Sequence, residues 1–271
     1  DTTEESQNQE VSLEEISKGV DTLIHLAALI GIPYSYVSPI AYLKTNLEGT
    51  YNVLEASKNN NINNTIITST SENYGSAQYV PIDEKHPLVA QSPYSASKIS
   101  ADNLAISYYL SYNLPIKIIR PFNCFGPRQS ARAIIPTIIS QLINKGPLKL
   151  GNINIVRDFT YVSDLVNAYY VILKSKKFFG EITNVGTGKG YNIKQIIEKI
   201  SNNLQIYKKI SIEKKRVRPN TSEVTKLICD NSKLIKNSNW KIKTSFDDGL
   251  QKTIKFIIEN KDYLKSDIYN V

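Results

Sequence analysis

The stretch Thr68 to Lys98, TSTSENYGSAQYVPIDEKHPLVAQSPYSASK, holds the two groups of side chains around which the rest of the chain is read. The first group, Thr70-Ser71-Glu72, closely follows Thr65-Ile66-Ile67, a short β-branched run that predicts a buried strand. Side chains at the carboxyl end of such a strand open into the crevice where α/β folds bind ligands. The second group, Tyr94-Ser95-Ala96-Ser97-Lys98, begins a segment in which Ala, Leu, Ile and Tyr recur at helical spacing as far as Leu114. Positions i and i+4 share a helix face, which sets the phenol of Tyr94 beside the ammonium of Lys98. A free tyrosine titrates near pH ~10, and a neighbouring cation favours the phenolate, so the pair reads as a base working near neutrality. The same spacing also fits two residues that merely pack.

Composition narrows the field. The 271 residues, 41% of them apolar, suffice for a sizeable core, as one large domain or as two lobes. There are 33 basic and 25 acidic residues, giving a formal charge of +8 and a pI near 9.2. The basic residues are scattered and the run KKRVR at Lys214 to Arg218 is short, which argues for a phosphate-bearing small molecule and against nucleic acid. Cys124 and Cys229 provide neither a disulfide framework nor metal-ligand spacing, so no metal site is expected and a reducing cytoplasm is the default. The longest apolar stretch, around Leu23 to Ile32, is too short to span a bilayer, and the acidic, polar beginning is not signal-like.

In chain order, Asp1 to Glu10 reads as a polar surface loop or frayed end. Ser12 to Lys18 reads as a short helix with Ser12 and Glu15 at capping-box spacing, closed by Gly19, and Asp21 to Leu26 as a buried parallel strand. Ile40 to Lys58 predicts one long helix. Ile116 to Arg120 gives a strand stopped by Pro121, Ile134 to Leu142 a helix, Leu148 to Leu150 a strand, and Asp164 an N-cap. Gly186 to Gly190, GTGKG, reads as a turn after the strand Ile182 to Val185, with the wrong spacing for a P-loop. Ile193, Ile196, Ile197, Ile200 and Leu204 form the core stripe of a helix from Asn192. Arg216-Val217-Arg218-Pro219 sets two guanidinium forks in a loop, suited to a diphosphate or simply solvated. Trp240 reads as an anchor for the last lobe, which a helix through Leu250, Thr253, Ile254 and Ile257 closes.

The ordered motifs HLAA (His25 to Ala28), TSENYG (Thr70 to Gly75), RPFN (Arg120 to Asn123), GPR (Gly126 to Arg128) and RDFTYV (Arg157 to Val162), with the Tyr94/Lys98 pair, resemble the extended short-chain dehydrogenases that modify nucleotide sugars. IGIPYSY at Ile30 to Tyr36, GSAQYVPIDE at Gly75 to Glu84 and QSARAIIPTII at Gln129 to Ile139 look most similar to the NAD-dependent 4,6-dehydratases of nucleotide-linked N-acetylglucosamine, the legionaminic-acid type. The resemblance implies a doubly wound, Rossmann-like parallel sheet, truncated at its N-terminus, with a smaller α/β C-terminal substrate-binding lobe. Residues 1–126 and 157–185 would form the NAD-binding part, and 127–156 with 186–271 the nucleotide-sugar part. No G-x-x-G-x-x-G turn occurs in the sequence, so the first βαβ unit would lie upstream of Asp1. The missing strand is central in the order 3-2-1-4-5-6, which predicts an unpaired edge and an uncovered apolar flank along Thr22 to Ala27.

The resemblance also distributes roles. Leu26, Ala27, Ala28, Asn46, Thr68, Ser69, Tyr94, Lys98, Pro121 and Phe122 would bind NAD. Thr70, Asn123, Arg128, Arg157, Asn192 and Arg218 would bind the nucleotide sugar, and a homodimer is implied. Thr70, Ser71, Glu72, Tyr94 and Lys98 would be catalytic: C4 oxidation with Tyr94 as base makes the C5 proton acidic enough for Glu72 to remove, and water is lost across C5 and C6. Ser71 departs from the pattern, since many relatives place an aspartic acid there. UDP-glucuronate decarboxylases share Thr-Ser-Glu, and a 4-epimerase needs no such carboxylate. A truncated, non-catalytic nucleotide-sugar-binding relic is the alternative of another class.

Overall fold

The computed structural model describes residues 12–260, and the polar segment expected over Asp1 to Glu10 lies outside them. Ser12 caps α1 (Leu13–Ile16) by accepting from the Glu15 amide at 3.2 Å, and Gly19 leaves the helix with φ +73°. The chain then enters β1 (Thr22–His25), and α2 (Ile32–Val37) follows. The helix expected over Ile40 to Lys58 comes in three geometries: α3 (Pro39–Tyr42), a π-helical stretch Leu43–Glu48, and α4 (Gly49–Asn59). The wider π turn carries Asn46, whose buried carboxamide accepts from the Leu29 amide and donates to the Leu29 carbonyl and Ser97 Oγ. Periodicity has no signal for that insertion.

β2 (Asn64–Thr68), a 3₁₀ turn (Ser71–Tyr74), α5 (Pro93–Tyr112) and β3 (Ile116–Pro121) follow. Ser92 caps α5, and Asn113 ends it in a left-handed conformation, φ 53°. After β4 (Asn123–Phe125), α6 (Ile134–Ile143), β5 (Leu148–Leu150), β6 (Val156–Tyr161) and α7 (Val162–Lys174) comes β7 (Ile182–Val185). The strands β1-β2-β3-β7 form one parallel sheet in that order. Among the described residues β1 is paired on one side only, and Ile24 and Leu26 are 41% and 65% exposed, the uncovered flank that the sequence predicts.

Strand β3 carries two buried cations, Lys117 and Arg120, three positions apart and therefore on opposite faces. Lys117 Nζ donates to Asn64 Oδ1 and to the carbonyls of Ile172, Leu173 and Ser175, closing the C-terminus of α7, and stands 4.1 Å from the centre of the Phe179 ring. Burial pushes this ammonium down to about 8, which leaves it charged at neutral pH.

The second core gathers around β6. β4 and β10 (Lys226–Leu227) pair with β6 in parallel, and β8 (Gly190–Asn192) runs antiparallel to it. α6, α8 (Ile193–Leu204) and α10 (Phe246–Glu259) pack Ile138, Ile139, Ile196, Ile200, Leu250 and Ile254 against Phe125 and Phe159. β5 pairs with β9 (Ile210–Ile212) at the periphery.

Two local readings are corrected, and the GTGKG segment is the turn that its sequence predicts. Helix α7 begins straight from β6, with Tyr161 at its N-cap, so Asp164 sits inside the first turn and accepts instead from the amides of Lys243 and Thr244. Trp240 does not anchor the second core. It is 1% exposed, packs with Ile66, Ile119, Val185 and Leu234 of α9 (Ser232–Asn237) against the parallel sheet, and donates to the Asp164 carbonyl. The GTGKG turn holds an anion that belongs to the protein: the buried Asp158 carboxylate accepts from the amides of Thr187, Gly188 and Cys229 and from Thr187 Oγ1. A Cβ at Gly186 would meet Cys229 Cβ at 2.3 Å and Asp158 Oδ2 at 3.0 Å, so the glycine serves this close approach.

Candidate active site

Strand β2 ends at Thr68, and the chain turns at once into the 3₁₀ turn that carries Ser71, Glu72 and Asn73. Thr70 caps this turn, its Oγ1 accepting from the Glu72 amide at 3.2 Å. Opposite, α5 starts at Pro93 and presents Tyr94 in its first turn, 6% exposed, edge-on to Tyr42. The two segments are tied directly, since Ser95 Oγ donates to the Glu72 carbonyl at 3.0 Å.

Burial pushes the Tyr94 phenol well above its ordinary range; Thr70 works against the shift, and the charges of Glu72 and Asp102 add to it. Thr70 and Glu72 therefore both lie within electrostatic reach of the phenol. Lys98 is buried as well, and burial lowers its pKa. Its ammonium gives one donor to the Thr68 carbonyl at 2.5 Å. The Tyr94 shift runs opposite to the one the Tyr-x-x-x-Lys spacing predicts, because desolvation of the phenol dominates it.

The Glu72 carboxylate faces two arginines, at 3.6 Å from Arg157 Nη2 and 3.8 Å from Arg218 Nη1. Arg218 Nη1 lies 3.9 Å from Glu223 Oε1. These are charge contacts too long for hydrogen bonds, and Arg157 Nη2, Arg218 Nη1 and Glu223 Oε1 are buried without hydrogen-bond partners. Arg157 is 3% exposed on β6, and Arg218 comes from the Pro-bounded loop, so the two cations converge from distant parts of the chain.

The remaining candidates are placed as follows. Leu26 and Ala27 are exposed at the end of β1, and Ala28 is half-buried. Thr68 exchanges a 2.8 Å hydroxyl bond with Tyr169, while Ser69 Oγ donates to Asp102 at 2.6 Å. Pro121 ends β3, and Phe122 is core, stacked on Tyr74 with ring centres 6.4 Å apart. Asn123 is half-buried opposite Phe159, and Arg128 is exposed with φ 64°. Asn192 caps α8 in a capping box with Gln195 and pairs with Val156, one register step from Arg157. The sequence reading missed Asp102, Asn73 and Glu223, which complete the polar framework.

His25 ends β1 with 8% exposure and an unpartnered Nε2. Burial, then the Lys98 charge, lowers its pKa from 6.5 to about 4. Unfolding lets the ring bind a proton throughout that window, so stability is expected to fall as pH drops from 6.5 towards 4, by on the order of 3 kcal/mol. Urea midpoints at several pH values should show that slope, and His25→Gln should flatten it. An equal slope in the variant would assign the acid sensitivity elsewhere.

The family described as GDP-mannose 4,6 dehydratase matches residues 4–253. The chain belongs to that family. Its relatives in the family include a dTDP-D-glucose 4,6-dehydratase of Dictyostelium discoideum, 34% identical over 68% of this chain and 45% of the relative. A UDP-glucuronate 4-epimerase of Thermodesulfobacterium geofontis is 33% identical over 91% of this chain and 75% of the relative. In three dimensions the fold is similar to the dTDP-glucose 4,6-dehydratase of Streptomyces venezuelae crystallised with NAD, with a TM-score of 0.84, 26% identity, and coverage of 93% of this chain and 77% of that one. The family thus joins nucleotide-sugar dehydratases and epimerases on one scaffold. Among the described residues no helix is long and apolar enough to cross a membrane, and no group of three or more His, Cys, Asp or Glu is placed to hold a metal ion.

Proposed function

We propose that this protein is an NAD-dependent nucleotide-sugar 4,6-dehydratase, converting a nucleotide-linked N-acetylglucosamine to its 4-keto-6-deoxy product in surface-glycan sugar biosynthesis. One observation carries the reading: the Glu72 carboxylate lies within electrostatic reach of the Tyr94 phenol, and the Thr70 hydroxyl within its hydrogen-bonding reach, on a turn tied to the Tyr94 helix by Ser95. Oxidation at C4 needs only the phenol and its neighbours, whereas loss of water across C5 and C6 also needs a base for the C5 proton.

The residues present fit the nicotinamide end of the dinucleotide. His25 Nε2 is unpartnered where β1 opens, Leu26 and Ala27 are exposed there, and Lys98 gives only one of its three donors to Thr68. Leu26, Ala27, Thr68, Tyr94, Lys98 and Pro121 would hold that end. The glycine turn on which doubly wound folds rest the pyrophosphate has no counterpart in the sequence. When bound, NAD would supply the hydride acceptor for oxidation at C4 and a positive charge that favours an ionised phenol.

Tyr94 takes the C4 hydroxyl proton, favoured by Lys98, and Thr70 donates to the C4 oxygen as charge develops on it. Glu72 removes the C5 proton as the C6 hydroxyl departs as water, and the hydride and proton given up at C4 would be returned at C6 and C5, so the 4-keto-6-deoxy product forms with no net change of oxidation state. The Ser71 hydroxyl is too weak an acid to protonate the departing hydroxyl, so Glu72 carries both transfers. Arg157 and Arg218, with donors unmet, are the forks for the diphosphate. Asn123, Arg128 and Asn192 are further proposed contacts. The exposed Tyr51, Leu110 and Tyr112 on α4 and α5 support a homodimer through these helices, and we place the enzyme in the cytoplasm.

A 4-epimerase is the second reading, favoured by the engagement of Glu72 with two arginines. Incubation of the full chain with UDP- and GDP-N-acetylglucosamine and with UDP-glucuronate, followed by mass spectrometry, separates the readings. Loss of water from an N-acetylglucosamine nucleotide is expected. An isomer of unchanged mass would make it an epimerase, loss of CO2 a decarboxylase, and no product at all would remove the enzyme reading.

A further inference from the structure

We infer that Asp102 is a positioning residue, one oxygen of which locks the turn bearing Thr70, Ser71 and Glu72 onto the helix bearing Tyr94 and Lys98. The inference rests on the proposed reaction for its catalytic meaning, although the geometry stands independently of it.

Asp102 lies one helical turn beyond Lys98 and two beyond Tyr94 on α5, on the same face and 1% exposed. Its Oδ2 accepts from Ser69 Oγ at 2.6 Å, Asn73 Nδ2 at 2.9 Å and Arg120 Nη2 at 2.6 Å. Ser69 immediately precedes Thr70, and Asn73 immediately follows Glu72. Both ends of the reactive triplet are therefore fastened to a single oxygen, and Asn73 Nδ2 also reaches Ser69 Oγ at 3.2 Å. Bonds to an ionised acceptor are about twice as strong as neutral ones. The Arg120 guanidinium, which balances the carboxylate, stands 4.8 Å from the centre of the Tyr74 ring, the last residue of the same turn.

Stability alone does not account for the arrangement. Asp102 Oδ1 and Arg120 Nε and Nη1 are buried without partners. A well-packed apolar pair would serve a core as well or better than an ion pair so incompletely bonded. What an apolar pair lacks is a fixed direction for Ser69 and Asn73. With the base on the turn and the phenol on the helix, the Asp102 linkage sets their separation, and a shift of about 1 Å at such a site costs about a hundredfold in rate.

The test uses the full chain with Asp102→Leu and Arg120→Met combined, which removes both charges together, and separately Asn73→Ala. Amide hydrogen exchange at residues 72–75 is expected to quicken about tenfold or more in both, with α5 staying within about twofold of the native protein. Unchanged exchange at the turn, or equal quickening of turn and helix, would overturn the inference. With UDP-N-acetylglucosamine, C5 deuterium uptake should fall about a hundredfold, while C4 oxidation, read from reduced-nicotinamide absorbance, stays within about threefold. Equal losses in both steps would also overturn it. If the native chain performs neither step, the proposed reaction fails, and hydrogen exchange alone decides the role of Asp102.

Discussion

Replacing Glu72 by Gln is expected to leave C4 oxidation in place and to slow the loss of water by about 10²–10⁴-fold, the range spanned by positioned proton-transfer groups. The substitution keeps side-chain size, and the turn retains its cap at Thr70 and the Ser95 bond to the residue 72 carbonyl. It removes the charge that Arg157 and Arg218 now face. UDP should accordingly bind at least as tightly as to the native protein, because the neutral amide no longer competes with a diphosphate for the two guanidiniums. Single-turnover mass spectrometry together with calorimetric titration of UDP checks both halves. Water loss at the native rate would place the base elsewhere, and weakened UDP binding would mean that the carboxylate organises the arginines instead of occupying them.

Arg120→Met is expected to destabilise the fold by about 3–5 kcal/mol, since it leaves the Asp102 carboxylate buried with no compensating charge. The neighbouring hydrogen bonds from Ser69 and Asn73 cannot replace a full positive charge. Adding Asp102→Leu should recover most of the loss in a urea titration. An unchanged midpoint in the single variant would show that the ion pair is far weaker than its 2.6 Å contact and 1% exposures imply.

Much of the fold was legible in hydrophobic pattern. The parallel strands at Thr65 and Ile182, the stripe from Ile193 to Leu204 and the closing helix through Leu250 all follow from apolar spacing, and their inward positions are buried except for the half-buried Ile182 and Leu204. That β1 pairs on one side only among the described residues was legible from the absence of a glycine turn in the sequence. What escaped was polar and non-local. Nothing in periodicity marks the π turn at Asn46, which exists to satisfy the backbone of Leu29, seventeen residues away. The direction of the Lys98 ammonium and the upward shift of Tyr94 depend on burial and on a carbonyl thirty residues away. Asp102 did carry a local signal, its place one turn after Lys98. Its partners on β3 and the turn are visible only in three dimensions.

The buried Asp158 has a bearing on the site that its own chemistry hides. It is the next residue after Arg157, so along β6 the two side chains leave on opposite faces. One is seated in the amides of Thr187, Gly188 and Cys229, and the other is aimed at Glu72. The seat works like a keyway on a shaft: once the aspartate is home, the strand cannot roll about its long axis, and the guanidinium keeps its bearing. A lesion in the GTGKG turn would then surface first as a misdirected arginine, in a molecule that still folds.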